Sequence, residues 1–287
     1  MKKLKYFLQF LGIIFLFLIF KIVGLKATNF ISGKIFLFLG PLFRSNKNSK
    51  KNLSKAFPNL NNNEIKRIIK NMWVNYGKIF GEYVFLKNYR NTKLFSKKIN
   101  IENLAILNKI KLEKKPVIFI SGHFNNFELM AMSIEKSGID LAVIYRPLNN
   151  FFLNPIMEKI RINHICKKQV KKGISGTKEL LRHYKNGSSI ALMIDQRVTE
   201  GIKSKFFHYD ALTTTIPAQF VMKYNSKIVP VYIERLPNNN FNLKFFNPIV
   251  FDQKKSIAEI TNKLNNILEE MIKINPDQWI WTHDRWK

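Results

Sequence analysis

Acidic residues and cysteine are both scarce in this chain. Asp and Glu number 19 among 287 residues, against 48 Lys and Arg, and the formal net charge is +29. The single cysteine, Cys166, excludes an intrachain disulfide, and no Cys/His set has the spacing of a zinc site. A lone cysteine in an apolar context is typical of a small buried side chain rather than a reactive thiol.

Three organisational signals are also missing. No small-x-small cleavage site follows the apolar N-terminus, which argues against a removed signal peptide. No internal repeat or flexible interdomain linker divides the rest of the chain. No G-x-S-x-G motif marks a nucleophilic serine, so the sequence gives no support to a covalent intermediate on such a residue.

Apolar and aromatic residues are abundant despite the charge. Nearly half of the residues are hydrophobic (46%), and 25 are phenylalanine. A disordered basic tail would lack these aromatics, so we expect a folded protein with a strongly positive surface. Such a surface attracts nucleic acid, anionic lipid or an acidic protein, and composition alone leaves these three open.

The N-terminus predicts a membrane anchor. A basic start leads into an apolar run at residues 6–20, interrupted by Lys21 and continued to residue 25, which together reach the length needed to cross a bilayer. We assign residues 1–25 to the anchor and residues 26–60 to an interfacial segment and basic connector. Residues 61–287 are assigned to one globular domain. Lysines flank the run almost evenly, so charge does not set its orientation.

Strands and helices alternate from Pro116 onward, which predicts a single α/β domain with a largely parallel or mixed sheet flanked by helices. An earlier helix is predicted to begin after Asn61, with Glu64 completing its cap. The later predicted strands are Leu141–Tyr145, Ser189–Asp195, Ile228–Glu234 and Asn242–Phe246. The later predicted helices are Asn154–Gln169, Ser175–Asn186, Thr215–Asn225 and Ile257–Ile274.

His123 and Glu128 are the main candidate catalytic pair. His123 follows a short apolar strand, and Glu128 stands five residues later at the start of a predicted helix. An imidazole titrates near neutrality, and a carboxylate that fixes its tautomer makes it a general base. The two side chains can meet if His123 lies in the turn and Glu128 in the first helical turn. An accidental surface pairing is the alternative.

Further polar residues stand at predicted strand ends, where open α/β sheets build their sites. Arg146 ends one strand and could bind a phosphate or an oxyanion, or form a salt bridge at the sheet edge. Asp195 and Gln196 end another, and Asp195 could touch substrate or orient Arg146 or a helix terminus. The tryptophan-rich stretch at residues 278–287 is expected to dock and close the core.

The chain resembles the bacterial lipid A biosynthesis (lauroyl/myristoyl) acyltransferases of the lysophospholipid-acyltransferase superfamily over nearly its whole length. Besides the N-terminal anchor, the resemblance rests on Asn52-Leu53, Phe57-Pro58, Gly122-His123 through Glu128, Tyr145-Arg146-Pro147, Asp195-Gln196, Phe206-Phe207, Gln278-Trp279 and Trp281-Thr282-His283 with Arg285. The family usually has glycine where Asn125 and His208 stand, and tryptophan where Phe127 stands. These departures leave His123 and Glu128 intact.

The resemblance implies a glycerolipid-acyltransferase-like fold and a definite reaction. Such enzymes move an acyl chain from acyl carrier protein to a hydroxyl of a lipid A precursor, at the cytoplasmic face of the inner membrane. His123 would take the hydroxyl proton and Glu128 would orient it, with Arg146, Asp195 and Gln196 binding substrate or the oxyanion. No metal, cofactor or covalent intermediate is required. The implied partners are acyl carrier protein, the anionic lipid and the bilayer.

Two groups of alternatives remain. An acyltransferase for another membrane lipid, such as an aminolipid or a glycolipid, fits the same motifs, although enzymes acting on lysophosphatidate typically carry Asp where Glu128 stands. A membrane-tethered nucleic-acid-binding protein would explain the charge. The lysines are spread along the chain instead of clustering on one element, and this argues against a nucleic-acid partner.

Overall fold

A computed structural model describes residues 2–287; Met1, the first residue of the predicted anchor, lies outside them. The strands are β1 (Ile99–Glu102), β2 (Ile118–Ser121), β3 (Leu141–Tyr145), β4 (Lys168–Lys171), β5 (Ser189–Met193), β6 (Ile202–Phe206), β7 (Tyr209–Thr213), β8 (Ile228–Arg235) and β9 (Phe241–Phe245). The helices are α1 (Lys2–Phe43), α2 (Asn46–Ala56), α3 (Asn62–Glu82), α4 (Leu86–Asn91), α5 (Leu94–Lys98), α6 (Leu104–Glu113), α7 (Glu128–Lys136), α8 (Asn154–His164), α9 (Ile174–Lys185), α10 (Ile216–Tyr224) and α11 (Ile257–Ile274).

Seven strands form one mixed sheet in the order β1-β9-β8-β2-β5-β3-β4. Strands β8, β2, β5, β3 and β4 run parallel, and β9 pairs antiparallel with β8. Helices connect the parallel strands, which confirms the predicted α/β class. The carboxyl ends of β2, β5 and β3 therefore meet at one edge of the sheet, where polar residues from distant sequence positions are brought together.

Most predicted elements are confirmed, with instructive differences. The capping box of α3 has Asn61 and Glu64 in the expected roles. Helix α8 stops at His164, and residues 168–171, which were predicted to be partly helical, form the edge strand β4. The hairpin β6–β7 was missed because Phe207 and His208 make its turn with positive φ, instead of the glycine or asparagine that usually marks one. Cys166 is buried, as expected.

Helix α1 folds back on itself at Gly24, whose φ of 79° breaks the helical geometry. The hydroxyl of Thr28 donates to the carbonyl of Phe20 at 2.9 Å, whereas eight residues of continuous helix would separate them by about 12 Å. Phe17 and Phe36 both pack on the ring of Phe80, with centroids 5.1 and 5.2 Å away. The apolar N-terminus is thus two helical arms, residues 2–23 and 25–43, meeting at α3.

The second arm of α1 lies very close to α3 because both carry small residues at the contact. A Cβ atom on Gly77 would stand 2.1 Å from the carbonyl oxygen of Ser32, and one on Gly81 would stand 2.6 Å from the Thr28 methyl group. Large apolar side chains on the outer faces of both arms remain exposed, among them Ile22 and Phe38. Helix α1 is long and apolar enough to cross a membrane.

The C-terminal segment packs into the core, as the tryptophan density predicted. Trp279, Trp281 and Arg285 are almost completely buried. The guanidinium of Arg285 donates to the carbonyl of Leu212 and to the hydroxyl of Thr213, both at 2.7 Å, and so fastens the segment to β7. This segment crosses the carboxyl edge of the sheet, where it contributes to the site described next.

Candidate active site

His123 lies two residues beyond the end of β2, in the turn that leads into α7. Its Nδ1 atom is 2.7 Å from Oδ1 of Asp195. Because the carboxylate accepts, Nδ1 carries the proton and Nε2 is left with its lone pair. Nε2 makes no hydrogen bond to any residue in the range 2–287, and the imidazole lines a large cavity. An imidazole held in this tautomer is a general base.

Asp195 is completely buried and accepts three hydrogen bonds. Besides the ring of His123, its carboxylate accepts from the backbone N–H of His123 at 2.7 Å and from the indole N–H of Trp279 at 2.9 Å. Strands β2 and β5 are neighbours, with Ser121 opposite Met193, so their carboxyl ends present His123 and Asp195 side by side. Three donors fix the carboxylate, and the carboxylate fixes the imidazole.

The electrostatics of this pair favour an imidazolium during reaction. Burial is the largest single influence and disfavours the charged ring, but the carboxylates of Asp195 and Glu128 together raise the pKa of His123 above its usual value. Burial likewise works to raise the pKa of Asp195, yet its contact with His123 holds that pKa below the usual range. Asp195 therefore stays ionised while His123 gains and loses a proton.

Glu128 occupies the first position of α7, as predicted, but its carboxylate turns away from the ring of His123. Its Oε1 atom accepts from Nε of Arg161 at 3.0 Å and from the hydroxyl of Tyr83. Arg161 also donates to the Tyr83 oxygen at 2.9 Å. The expectation that Glu128 orients the imidazole through a hydrogen bond is therefore wrong, because Asp195 occupies Nδ1. The negative charge of Glu128 still favours the imidazolium.

The turn that holds His123 is fixed by a buried polar network. Asn125 takes a left-handed conformation, with φ 39°, at a position where the resembling family usually has glycine. Its side chain donates to Asn75 at 2.9 Å and to Gln278 at 2.5 Å. Asn126 donates to Glu82, which is itself paired with the guanidinium of Arg235. The turn is thereby tied to α3, β8 and the C-terminal segment.

A cavity of about 830 Å³ opens beside His123 and Glu128. Its inner wall is apolar and includes Phe119, Ile134, Val143 and Met193. Its polar lining includes Arg44, Arg146, Lys172, Lys178, Gln196 and Thr214. An apolar space with charged groups along part of its wall suits an amphiphile whose chain is buried and whose head is anionic.

The other predicted site residues have different surroundings. Arg146 is exposed and lines the cavity, and it makes no ion pair within residues 2–287. Gln196 lines the same cavity. Asp195 does not contact Arg146, so the suggestion that it orients that arginine gives way to its contact with His123. The structure thus brings Asp195 to His123 and leaves Arg146 and Gln196 along the cavity.

Several site residues were missed by sequence reasoning. Arg161 lies on α8, Tyr83 directly follows α3 and Arg44 directly follows α1, all without a local motif, and Trp279 was assigned only a packing role. A signal for the Asp195 contact existed, because Asp195 and His123 each stand two residues beyond the end of an apolar strand. This spacing alone does not identify the contact, because the two residues meet only if their strands are neighbours in the sheet.

Comparisons with known proteins found a similar solved structure and a matching family model. A solved structure of the 1-acyl-sn-glycerophosphate (LPA) acyltransferase from Thermotoga maritima is similar, with a TM-score of 0.45 and 15% sequence identity. The alignment covers 90% of this chain and 100% of that one. No curated protein matches the sequence significantly. The family model for bacterial lipid A biosynthesis acyltransferases matches residues 1–287, and the chain belongs to that family.

Proposed function

We propose that this lipid acyltransferase moves a fatty acyl chain from acyl carrier protein to a hydroxyl of a lipid A precursor. The observation that carries the proposal is the His123–Asp195 pair opening into an apolar cavity that also has cationic lining residues. The pair supplies a base for a hydroxyl. The apolar wall accommodates a long acyl chain, and the cations complement an anionic lipid head.

The reaction follows from the tautomer of His123. Nε2 takes the proton of the lipid hydroxyl as its oxygen attacks the carbonyl carbon of the donor thioester. The tetrahedral intermediate collapses, the carbon–sulfur bond breaks, and the imidazolium returns the proton to the leaving thiolate. The products are an ester and the free thiol of the carrier. Asp195 acts as a positioning residue that keeps Nδ1 protonated throughout.

The remaining site residues are given roles by their position. Glu128 adds negative charge near the imidazolium and holds Arg161 against Tyr83, which shapes the cavity wall. Arg146 and Gln196 lie along the cavity, where a guanidinium and an amide can bind anionic groups of the acceptor or the oxyanion. Within this proposal no metal or cofactor takes part.

The charge of the chain supports the choice of donor and acceptor. Acyl carrier protein is acidic, and lipid A precursors carry phosphates and acidic sugars. A protein with a net charge of +29 attracts both, and the attraction weakens as salt screens it. We expect a docking step that slows steeply with ionic strength, while turnover of bound substrates changes little.

The membrane assignment rests on α1. Asn150 donates to the carbonyl of Tyr6 at 2.8 Å, and Phe152 packs on Phe7 and Phe10. The loop that follows Arg146 therefore contacts the apolar first arm, and this contact supports the proposal that the cavity lies close to the lipid surface. We propose that residues 1–25 anchor the enzyme, with residues 26–60 as the interfacial and connecting segment. Residues 61–287 would be the acyltransferase domain, at the cytoplasmic face of the bacterial inner membrane.

The test uses membranes containing the full chain, acyl carrier proteins loaded with saturated chains of different lengths, and a tetra-acylated, sugar-bearing lipid A precursor. Mass spectrometry of the lipid is expected to show the gain of one acyl chain. His123→Ala should abolish the gain, because no other imidazole among residues 2–287 lines the cavity. Asp210→Asn, an exposed change on β7, is the matched control and should leave transfer intact.

Each outcome has a distinct meaning. No transfer to this acceptor, with transfer to lysophosphatidate, an aminolipid or a glycolipid, would keep the base and replace the substrate. Transfer that persists in His123→Ala would overturn the catalytic assignment. Equal transfer from acyl-coenzyme A would remove the requirement for a carrier protein.

A further inference from the structure

A second cavity, of about 380 Å³, lies where the N-terminus of α2 meets the C-terminal segment. We call it the Arg197 pocket. It is lined by Arg44, Ser45, Asn48, Arg197, Thr282, His283, Asp284 and Lys287. All of its lining residues are polar or charged, whereas the catalytic cavity has an apolar inner wall. Polar lining groups of this kind favour a polar ligand.

Three cations contribute to the Arg197 pocket, and none of them has an acidic partner. No carboxylate in the range 2–287 forms a salt bridge with Arg44, Arg197 or Lys287. The buried Nε of Arg197 also has no hydrogen-bond partner in that range. Asp284 is the one acidic side chain in the lining, so positive charge exceeds negative. Unpaired guanidinium groups around a cavity favour an anion.

The neutral groups of the pocket also suit a phosphate. Ser45 is the N-cap of α2, an eleven-residue helix, so the positive end of the helix dipole lies at the pocket. The hydroxyl of Thr282 accepts from the Arg44 guanidinium at 3.4 Å. Burial lowers the pKa of His283, and Arg44 contributes to the lowering, so His283 remains neutral near pH 7. Its Nε2 accepts from the backbone N–H of Arg197 at 3.0 Å.

The pocket adjoins the reaction centre. Arg44 lines both the Arg197 pocket and the catalytic cavity, and Gln196 and Val198, on either side of Arg197, line the catalytic cavity. Asp195, the partner of His123, is two residues before Arg197. The Arg197 pocket and the catalytic cavity therefore share a wall at Arg44.

We propose that the Arg197 pocket is a binding site for a phosphate ester of a substrate. The inference rests on the proposed acyl transfer for the identity of that substrate, but not for the binding itself. Two sources have this chemistry. One is a phosphate on the lipid acceptor, and the other is the phosphodiester of the pantetheine arm that carries the acyl chain.

The first experiment measures binding without activity. Thermal unfolding of the full chain in detergent is followed against inorganic phosphate, with sodium acetate at equal ionic strength as the reference anion. We expect phosphate to raise the Tm of the wild type saturably, by about 3 °C at ten times its Kd. The rise should be lost in Arg197→Gln, which keeps the backbone N–H that His283 accepts, and reduced in Lys287→Gln. Lys66→Gln, an exposed change on α3 outside both cavities, is the charge-matched control and should respond as the wild type does.

The second experiment separates the two sources. Arg197→Gln is compared with the wild type using the acceptor before and after enzymatic removal of its phosphates, and using acyl carrier protein against an S-acyl pantetheine that lacks the phosphate. We expect KM to rise about tenfold for one phosphate-bearing substrate, with kcat nearly unchanged. KM for the corresponding phosphate-free substrate should not change. The substrate that shows this pattern is the source.

Three results would overturn the proposal. One is an equal response of the wild type and Arg197→Gln to phosphate, and another is an equal response of the wild type to acetate and phosphate. The third is a rise in KM that is the same with and without the substrate phosphate, which would give Arg197 only a structural role. If no acceptor is acylated at all, the proposed function fails, while the binding experiment still decides whether the pocket holds phosphate.

Discussion

Nδ1 of His123 lies 2.7 Å from Oδ1 of Asp195, which is 72 residues away in the chain. Glu128, which is only five residues after His123 in the chain, is instead paired with Arg161. The proposed base and the carboxylate that contacts it thus follow two neighbouring parallel strands, whereas Glu128 pairs with Arg161 at the cavity wall.

Asp195→Asn tests the positioning role directly. An amide can donate to Nδ1 and thereby moves the ring proton to Nε2, where it blocks the base. We expect kcat to fall by about three to four orders of magnitude, with little change in KM. Asp210→Asn is the control. A loss smaller than tenfold would show that the tautomer does not depend on Asp195.

The pH dependence of the rate should also reflect the contact between His123 and Asp195. The base acts when neutral, so the rate falls as pH drops through the pKa of His123, which Asp195 holds above its usual value. The acidic limb of kcat/KM for the wild type is therefore expected above about pH 6.5. The residual activity of Asp195→Asn should show this limb at lower pH, because the carboxylate that favours the imidazolium is gone. An unmoved limb would assign it to another group.

Glu128 and Arg161 are expected to act as one unit. Each single change, Glu128→Gln or Arg161→Gln, leaves a mostly buried polar group without its partner and should destabilise the fold by about 3 kcal/mol. The double variant should cost less than the sum of the single changes. Chemical denaturation of the four proteins measures this, with Glu179→Gln on the exposed face of α9 as a control. Strict additivity would contradict a shared interaction.

The buried Glu82–Arg235 pair joins four parts of the protein: α3, β8, α1 and the turn of His123. Both oxygens of Glu82 accept from Arg235, and they also accept from Asn29 on α1 and Asn126 in the turn of His123. Glu82→Ala leaves a buried guanidinium unpaired and should lower stability by about 3–5 kcal/mol. Replacing both Glu82 and Arg235 with methionine should recover part of the loss. Thermal unfolding that is unchanged in Glu82→Ala would contradict this account. Glu270→Ala, on an exposed face of α11, is the control.

Gly77→Ala tests the contact between α3 and the second arm of α1. The added methyl group would stand 2.1 Å from the Ser32 carbonyl oxygen, so the two helices must separate. We expect lower thermal stability and faster proteolysis near Gly24. Gly12→Ala adds the same methyl group in the first arm where nothing lies within 4 Å, and should be neutral or slightly stabilising. Equal behaviour of the two variants would show that α1 and α3 are not tightly packed.

Local sequence patterns predicted much of the fold because they report local physics. Strand β3 and helix α11 have the predicted bounds, and Asn61 caps α3 as its spacing indicated. The patterns failed where a segment depends on its neighbours. Strand β4 forms only because β3 offers an edge, and the β6–β7 turn depends on packing that holds Phe207 and His208 at positive φ. The fold-back of α1 similarly requires α3 as a surface.

The sequence by itself determined the α/β class and the apolar N-terminus, and it indicated His123 as the candidate base, since each depends on composition or on residues close together in the chain. The tertiary structure decided which carboxylate lies beside that candidate base, because the order of strands in the sheet, and not distance along the chain, brings Asp195 next to His123. It also gathered Arg44, Arg197 and Lys287 around one pocket from three separate segments. Hydrogen bonds and ion contacts act over a few ångströms of space, so no local pattern could have named these partners.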